Sequence, residues 1–287
     1  MAYLKGGLII LKEMFEQLPP SEKKIAQYII QQPQEAIVLT TSELAKKSDT
    51  SSAAVIRLCK SLGFSGFQEL KLRVAGDIQQ QSVVDYRDIE PNENCQAIID
   101  KVTTNTIRTL KETKDILNIQ DIERAAIALT KAESIVFVGN GASYIAASDA
   151  EQKFLRINKN VNSYSDVHMG ATAIANKGPN DVVVGISFSG ETYEVSKLLQ
   201  LAKQNDVTTI SMTRYGPSPV ANNADICLYT SATREATFRS AATSSRIAQL
   251  HIIDILFMSV ASMQYERVIK YLDTTREAIT FIKEDKT

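Results

Sequence analysis

Two short turns carry the residue types best suited to holding an anion. In Gly139-Asn140-Gly141-Ala142-Ser143, an apolar strand from Ile135 to Val138 runs through glycines into an amphipathic helix. Free N–H groups and the dipole at a helix start favour negative charge. Gly141 permits close approach, and Ser143 adds a hydroxyl donor. The segment DVVVGISFSGETYEVSKLLQLAKQ repeats the plan, with Ser187, Ser189 and Thr192 grouped around Gly190. Hydroxyls and backbone amides together can satisfy several oxygens of a phosphate monoester without a cation. An ordinary capped helix would also place Ser and Thr there, so either turn alone leaves both readings open. In a doubly wound sheet both turns fall at the carboxyl ends of strands, where ligands bind. The first turn lacks the third glycine of a dinucleotide fingerprint and has no acidic partner at the usual spacing, so no cofactor is expected.

Other reactive side chains are less well defined. His168, in SYSDVHMGATAIAN, follows a second strand and with Asp166 could approach a ligand, or could lie in a helix-cap segment facing solvent. His251 stands at helical spacing among Leu250, Ile252, Ile255 and Leu256, which favours packing or a subunit contact. Tyr144 and Phe188 flank the turns as packing residues. Cys59, Cys95 and Cys227 are scattered, without CxxC spacing, so neither a metal nor a disulfide is expected.

A second kind of chemistry is legible between Thr41 and Leu62, TSELAKKSDTSSAAVIRLCKSL. Thr41 or Ser42 can cap a helix containing Leu44 and Ala45, and Ser48-Asp49-Thr50 breaks the pattern and offers the next cap. On the helix that follows, Val55, Leu58, Cys59 and Leu62 form one inward stripe. Ser51, Ser52, Ala53, Ile56, Arg57 and Lys60 lie on or beside the outer face, small at its leading end, as a helix entering a DNA groove requires. From Leu44 to Arg73, six basic residues (Lys46, Lys47, Arg57, Lys60, Lys71, Arg73) meet two acidic ones (Asp49, Glu69), a local balance of +4. A phosphate backbone would be attracted there. A small helical domain with solvated lysines would carry similar features.

The elements that must position these residues divide the chain in two. Its 287 residues, 44% of them hydrophobic, suffice for about two domains. The pattern is helical up to residue 78. Residues 79–96 are polar, contain Pro91 and read as a linker. From 97 to 287 strands alternate with helices, led by a helix whose Ile98, Val102, Ile107 and Leu110 assign it to the C-terminal domain. With 32 basic and 33 acidic residues, the net charge of -1 points to no polyanion partner for the chain as a whole. The N-terminus lacks a cleavage site. No apolar run attains the length of a membrane span; RIAQLHIIDILFMSVASM comes nearest and carries Arg246, His251 and Asp254. A cytoplasmic protein without a membrane partner is expected.

Arg57-Leu58-Cys59-Lys60 followed by LGFSGFQELK, after the helix pair above, resembles the signature of MurR/RpiR-type transcription regulators over most of the first 80 residues. GNGAS together with SFSGET resembles the sugar isomerase (SIS) domain over roughly residues 120 to 265. The first resemblance implies an all-α helix-turn-helix domain, and a homodimer or tetramer that sets two recognition helices on a roughly palindromic DNA operator. The second implies a three-layer α/β domain with a flavodoxin-like, five-stranded parallel sheet and Ser143, Ser187, Ser189 and Thr192 at a sugar phosphate, amino-sugar phosphates being the first candidates. Glu235, in TREATFRSAATSSRIAQLHIIDILF, stands where isomerase relatives keep a carboxylate. Here it either contacts sugar hydroxyls or favours a helix start, and Arg239 lies close by in sequence. Two classes follow: a regulator controlled by a phosphorylated sugar, or a sugar-phosphate isomerase or lyase with an accessory helical domain. The order of the motifs, and the lack of a second catalytic group beside Glu235, favour the regulator.

Overall fold

The computed structural model describes residues 5–78, 90–231 and 242–284. They form two compact units, one running to Ile116 and including Ser231, the other beginning at Leu117.

The first unit contains α1 (Gly7–Met14), α2 (Pro20–Gln31), α3 (Pro33–Ala36), α4 (Thr41–Lys47), α5 (Ser52–Ser61), α6 (Phe67–Ile78) and α7 (Cys95–Ile116). Local chemistry sets the starts of these helices. Thr40 caps α4 through a reciprocal box: its hydroxyl accepts from the Glu43 N–H, and Glu43 accepts from the Thr40 N–H at 2.7 Å. Those bonds from Thr40 hold the Glu43 carboxyl below its ordinary range. Ser51 caps α5 by accepting from the Ala54 N–H. Between them Asp49 adopts φ 52° and the Thr50 N–H returns to the Ala45 carbonyl at 2.8 Å, closing the turn. Both caps thus fall one residue outside the positions expected, at Thr40 and Ser51. At the far side, Asp77 of α6 accepts from Gly6 and Leu8 N–H, each at 2.8 Å, and so pins the start of α1.

The long helix α7 differs from expectation. Its buried residues are Thr109, Thr113 and Ile116, whereas Val102 and Ile107, read as packing on the C-terminal domain, are 42% and 48% exposed. Its inward end belongs to the first unit. The Thr113 hydroxyl accepts from the Ser231 N–H, and the Ser231 hydroxyl lies 3.1 Å from Glu13 and 2.9 Å from Glu112. By compactness the two units part at residues 116 and 117.

The second unit contains α8 (Ile119–Lys131), β1 (Ser134–Gly139), α9 (Ala142–Leu155), β2 (Val161–Tyr164), α10 (Val167–Ile174), β3 (Asp181–Ile186), α11 (Tyr193–Gln204), β4 (Thr208–Arg214), α12 (Pro219–Asn222), β5 (Ile226–Thr230), α13 (Thr243–Met263) and α14 (Tyr265–Glu284). All strands run parallel, in the order β2-β1-β3-β4-β5. The continuous apolar runs of β1 and β3 are buried on both faces, as a sheet covered on both sides demands. One face packs Phe137, Val184 and Met212 against Leu129, Phe154, Ile252 and Leu256 of α8, α9 and α13. The other packs Val136, Val138 and Val183 against Ile174, Val195 and Leu199 of α10 and α11. The expected three-layer, five-stranded parallel fold is present. One expectation needs amending: α13 is long and apolar enough by length and composition to cross a membrane. In this unit Ala248, Ile252, Ile253, Leu256 and Val260 place it in the core, and Asp254 pairs with Lys153 at 2.7 Å.

Candidate functional site

In the strand order 2-1-3-4-5 the direction of winding reverses between β1 and β3, which opens a crevice at their carboxyl ends. The two turns singled out above sit there. The register pairs Gly139 with Ile186, so both turns leave the sheet side by side. After β1, Gly141 takes φ 55° and ψ −125°, which a side chain would resist, and α9 begins with Ser143 in its first turn. Ser143 is buried, and its hydroxyl accepts from Gln249 Nε2 at 3.0 Å.

After β3, the chain folds on its own hydroxyls. Ser187 Oγ lies 2.7 Å from Thr192 Oγ1 and accepts from the Gly190 N–H, while Ser189 accepts from the Glu191 N–H. Gly190 has φ 74°, and a Cβ there would lie 2.3 Å from Ser218 Oγ, so no other residue fits without displacing that side chain. Thr192 occupies the N-cap position of α11 yet makes no side-chain cap bond, since its hydroxyl is turned to Ser187. The N-cap of α9, Gly141, has no side chain to offer. In contrast, α8, α10 and α12 are capped by Asn118, Asp166 and Ser218. Neither helix at the crevice has a side-chain cap bond at its start, a condition shared with α13.

The other candidates fall elsewhere. Tyr164 pairs with Val138, so the loop to His168 leaves on the opposite flank of β1 from β3. Asp166 caps α10 through Met169 N–H, and His168 is exposed. Both observations agree with the helix-cap alternative. Glu235 and Arg239 lie outside the described residues. His251 is half-buried on α13. Gln249 escaped the sequence reading. Its one available signal was a polar pair, Ser245 and Gln249, one turn apart within an apolar helix, and both prove buried.

In the first unit the two faces of α5 separate as the helical period requires. Val55, Leu58, Cys59 and Leu62 are buried, and Ser51, Ser52, Ala53, Ile56, Arg57 and Lys60 are exposed. Burial pushes the Cys59 thiol up to about 11, so it stays protonated and serves packing. The charge of this face is weaker than the local count suggests. Lys47 pairs with Glu35 at 2.9 Å, Arg73 with Glu69 at 2.9 Å, and Arg57 approaches the buried Glu22 at 3.9 Å. Lys71 donates to the Leu39 carbonyl. Lys46 and Lys60 are exposed and have no ion-pair partner among the described residues.

A helix-turn-helix unit with an open outer face, followed by a doubly wound unit with two uncapped helices at its switch point, has the build of a two-domain transcription regulator. Residues 5–81 match the helix-turn-helix domain of the rpiR family, and residues 128–259 match the SIS domain. The chain belongs to the RpiR family of helix-turn-helix transcriptional regulators. It is 48% identical to the uncharacterised HTH-type transcriptional regulator YbbH of Bacillus subtilis, over 96% of this chain and 97% of that one. It is 31% identical to the HTH-type transcriptional regulator HexR of Pseudomonas aeruginosa, over 90% of each. Among solved structures it resembles the Vibrio vulnificus NanR protein complexed with ManNAc-6P, with a TM-score of 0.61 and 24% identity over 96% of this chain and 98% of the other. At that identity the likeness speaks to the fold.

Proposed function

We propose that this regulator binds a palindromic DNA operator as a homodimer or tetramer in the cytoplasm, and that a phosphorylated sugar held in the SIS domain controls its operator affinity. The observation that carries the effector half is the pair of uncapped helix starts at the switch point, with the hydroxyls of Ser187 and Thr192 joined to each other. Gly141, Ser143, Ser187, Ser189, Gly190 and Thr192 supply donors and room for the phosphate. An amino-sugar 6-phosphate is the first candidate, a reading supported by the ManNAc-6P bound to the NanR neighbour. Glu235 is assigned to the sugar hydroxyls, and no turnover is assigned to the domain, in keeping with the relatives named as regulators. For DNA, Ser51, Ser52 and Ala53 enter the groove, Arg57 reads a base edge, and Lys60 meets phosphate.

The test is a thermal-shift panel of sugar phosphates with their unphosphorylated sugars as controls, followed by operator titration with and without the best ligand. A phosphate-dependent shift is expected, with a change in operator affinity of about 5- to 150-fold that DNA returns reciprocally on the sugar. Equal shifts from phosphorylated and plain sugars, or an operator affinity indifferent to saturating ligand, would overturn the reading.

A further inference from the structure

The inward face of α13 is apolar at Ala248, Ile252, Ile253, Leu256 and Val260, and polar at Ser245 and Gln249. Gln249 is 1% exposed. Among the described residues its side chain makes one hydrogen bond, the 3.0 Å donation from Nε2 to Ser143 Oγ, across 106 positions of sequence. A buried amide so placed has a directional effect. A serine hydroxyl carries one proton and two lone pairs, and an amide nitrogen can only donate. With one lone pair of Ser143 occupied, its proton must point elsewhere, and no described residue accepts it. Ser143 is thus a buried hydroxyl with an unspent donor, in the first turn of α9, beside the turn of Ser187 and Thr192.

We infer that Gln249 is a positioning residue that makes Ser143 an obligate hydrogen-bond donor to the bound anion. This rests on the reading of the two turns as a phosphate site, and it says why an amide stands at 249. A carboxylate there would take the Ser143 proton as acceptor and add negative charge beside the anion. An apolar side chain would leave the hydroxyl free to rotate.

The full-length protein and its Gln249→Leu, Gln249→Met, Gln249→Glu, Ser143→Ala and Ser143→Ala/Gln249→Leu variants are titrated calorimetrically with inorganic phosphate and with N-acetylmannosamine 6-phosphate, with melting curves as a check on folding. Ser143→Ala should weaken binding by about 10- to 100-fold, as loss of a hydrogen bond to a charged group does. Gln249→Leu and Gln249→Met should weaken it less, and Gln249→Glu at least as much as Ser143→Ala. In the Ser143→Ala background Gln249→Leu should add nothing, which a merely structural role would not produce. Full additivity, or wild-type affinity in Gln249→Glu, overturns the inference. If wild type binds, Ser187→Ala/Ser189→Ala abolishes binding and all Gln249 variants bind normally, this inference alone fails. If the folded wild type binds neither probe, the phosphate reading falls with it.

Discussion

In the function proposed, the outer face of α5 and the crevice between β1 and β3 both meet anions, by opposite means. On α5 the charges of Arg57 and Lys60 end long, exposed side chains that acquire direction only on meeting a partner. At the crevice Ser143 and Ser187 are buried, the donors are neutral, and each hydroxyl is already held by another group: Gln249 on Ser143, Thr192 and Gly190 on Ser187. The first arrangement acts at a distance and is weakened by salt. The second acts only in contact and loses little entropy when the ligand arrives. On that reading one chain keeps two anion-facing surfaces that need not compete for the same ligand.

If that contrast holds, the sharpest break comes from Ser187→Ala/Ser189→Ala. Removing two donors to a charged group should weaken sugar-phosphate binding by about 10²- to 10⁴-fold, measured by calorimetry, while ligand-free operator affinity measured by anisotropy stays within about twofold, as expected for independent sites. A parallel fall in operator affinity would mean the two surfaces are not separable. Arg57→Ala should do the converse. If Arg57 reads a base edge, operator affinity drops by about 1–3 kcal/mol relative to unrelated DNA, and sugar-phosphate affinity is unchanged. Equal losses on operator and unrelated DNA would reassign Arg57 to the phosphate backbone.

Much of this was legible in the sequence where a local rule governs. The helical period divided α5 into its buried and exposed faces residue by residue, and the strand-glycine-helix pattern located both crevice turns. Legibility stopped where the partner is remote. The charge count between Leu44 and Arg73 missed Glu22 and Glu35, which lie before the window and neutralise part of that face. The apolar spacing of α7 marked a helix correctly but could not say what it packs on, because Thr109 and Thr113 are buried while Val102 and Ile107 face outward. The caps moved by one residue because adjacent Ser and Thr offer nearly equivalent oxygens, and the reciprocal box with Glu43 selects Thr40. Gln249 offered only the polar spacing with Ser245, and its partner could not be read from it, since the hydrogen bond spans from α13 to α9.

The smallest expected effect probes the contrast most directly. Lys60 is exposed and has no ion-pair partner among the described residues, so its contribution to DNA binding is expected to come from displaced counterions alone. Lys60→Ala should weaken operator and unrelated DNA alike, and should lower the slope of log affinity against log salt by about 0.9, the value for one phosphate contact on duplex DNA. Sugar-phosphate affinity measured over the same salt range should stay comparatively flat in both proteins, because hydroxyls and amides attract the ligand without long-range charge. A steep salt dependence of sugar-phosphate binding would place an unrecognised cation at the crevice and collapse the distinction between the two surfaces. An unchanged DNA slope in Lys60→Ala would leave the crevice reading intact and remove Lys60 from the DNA face.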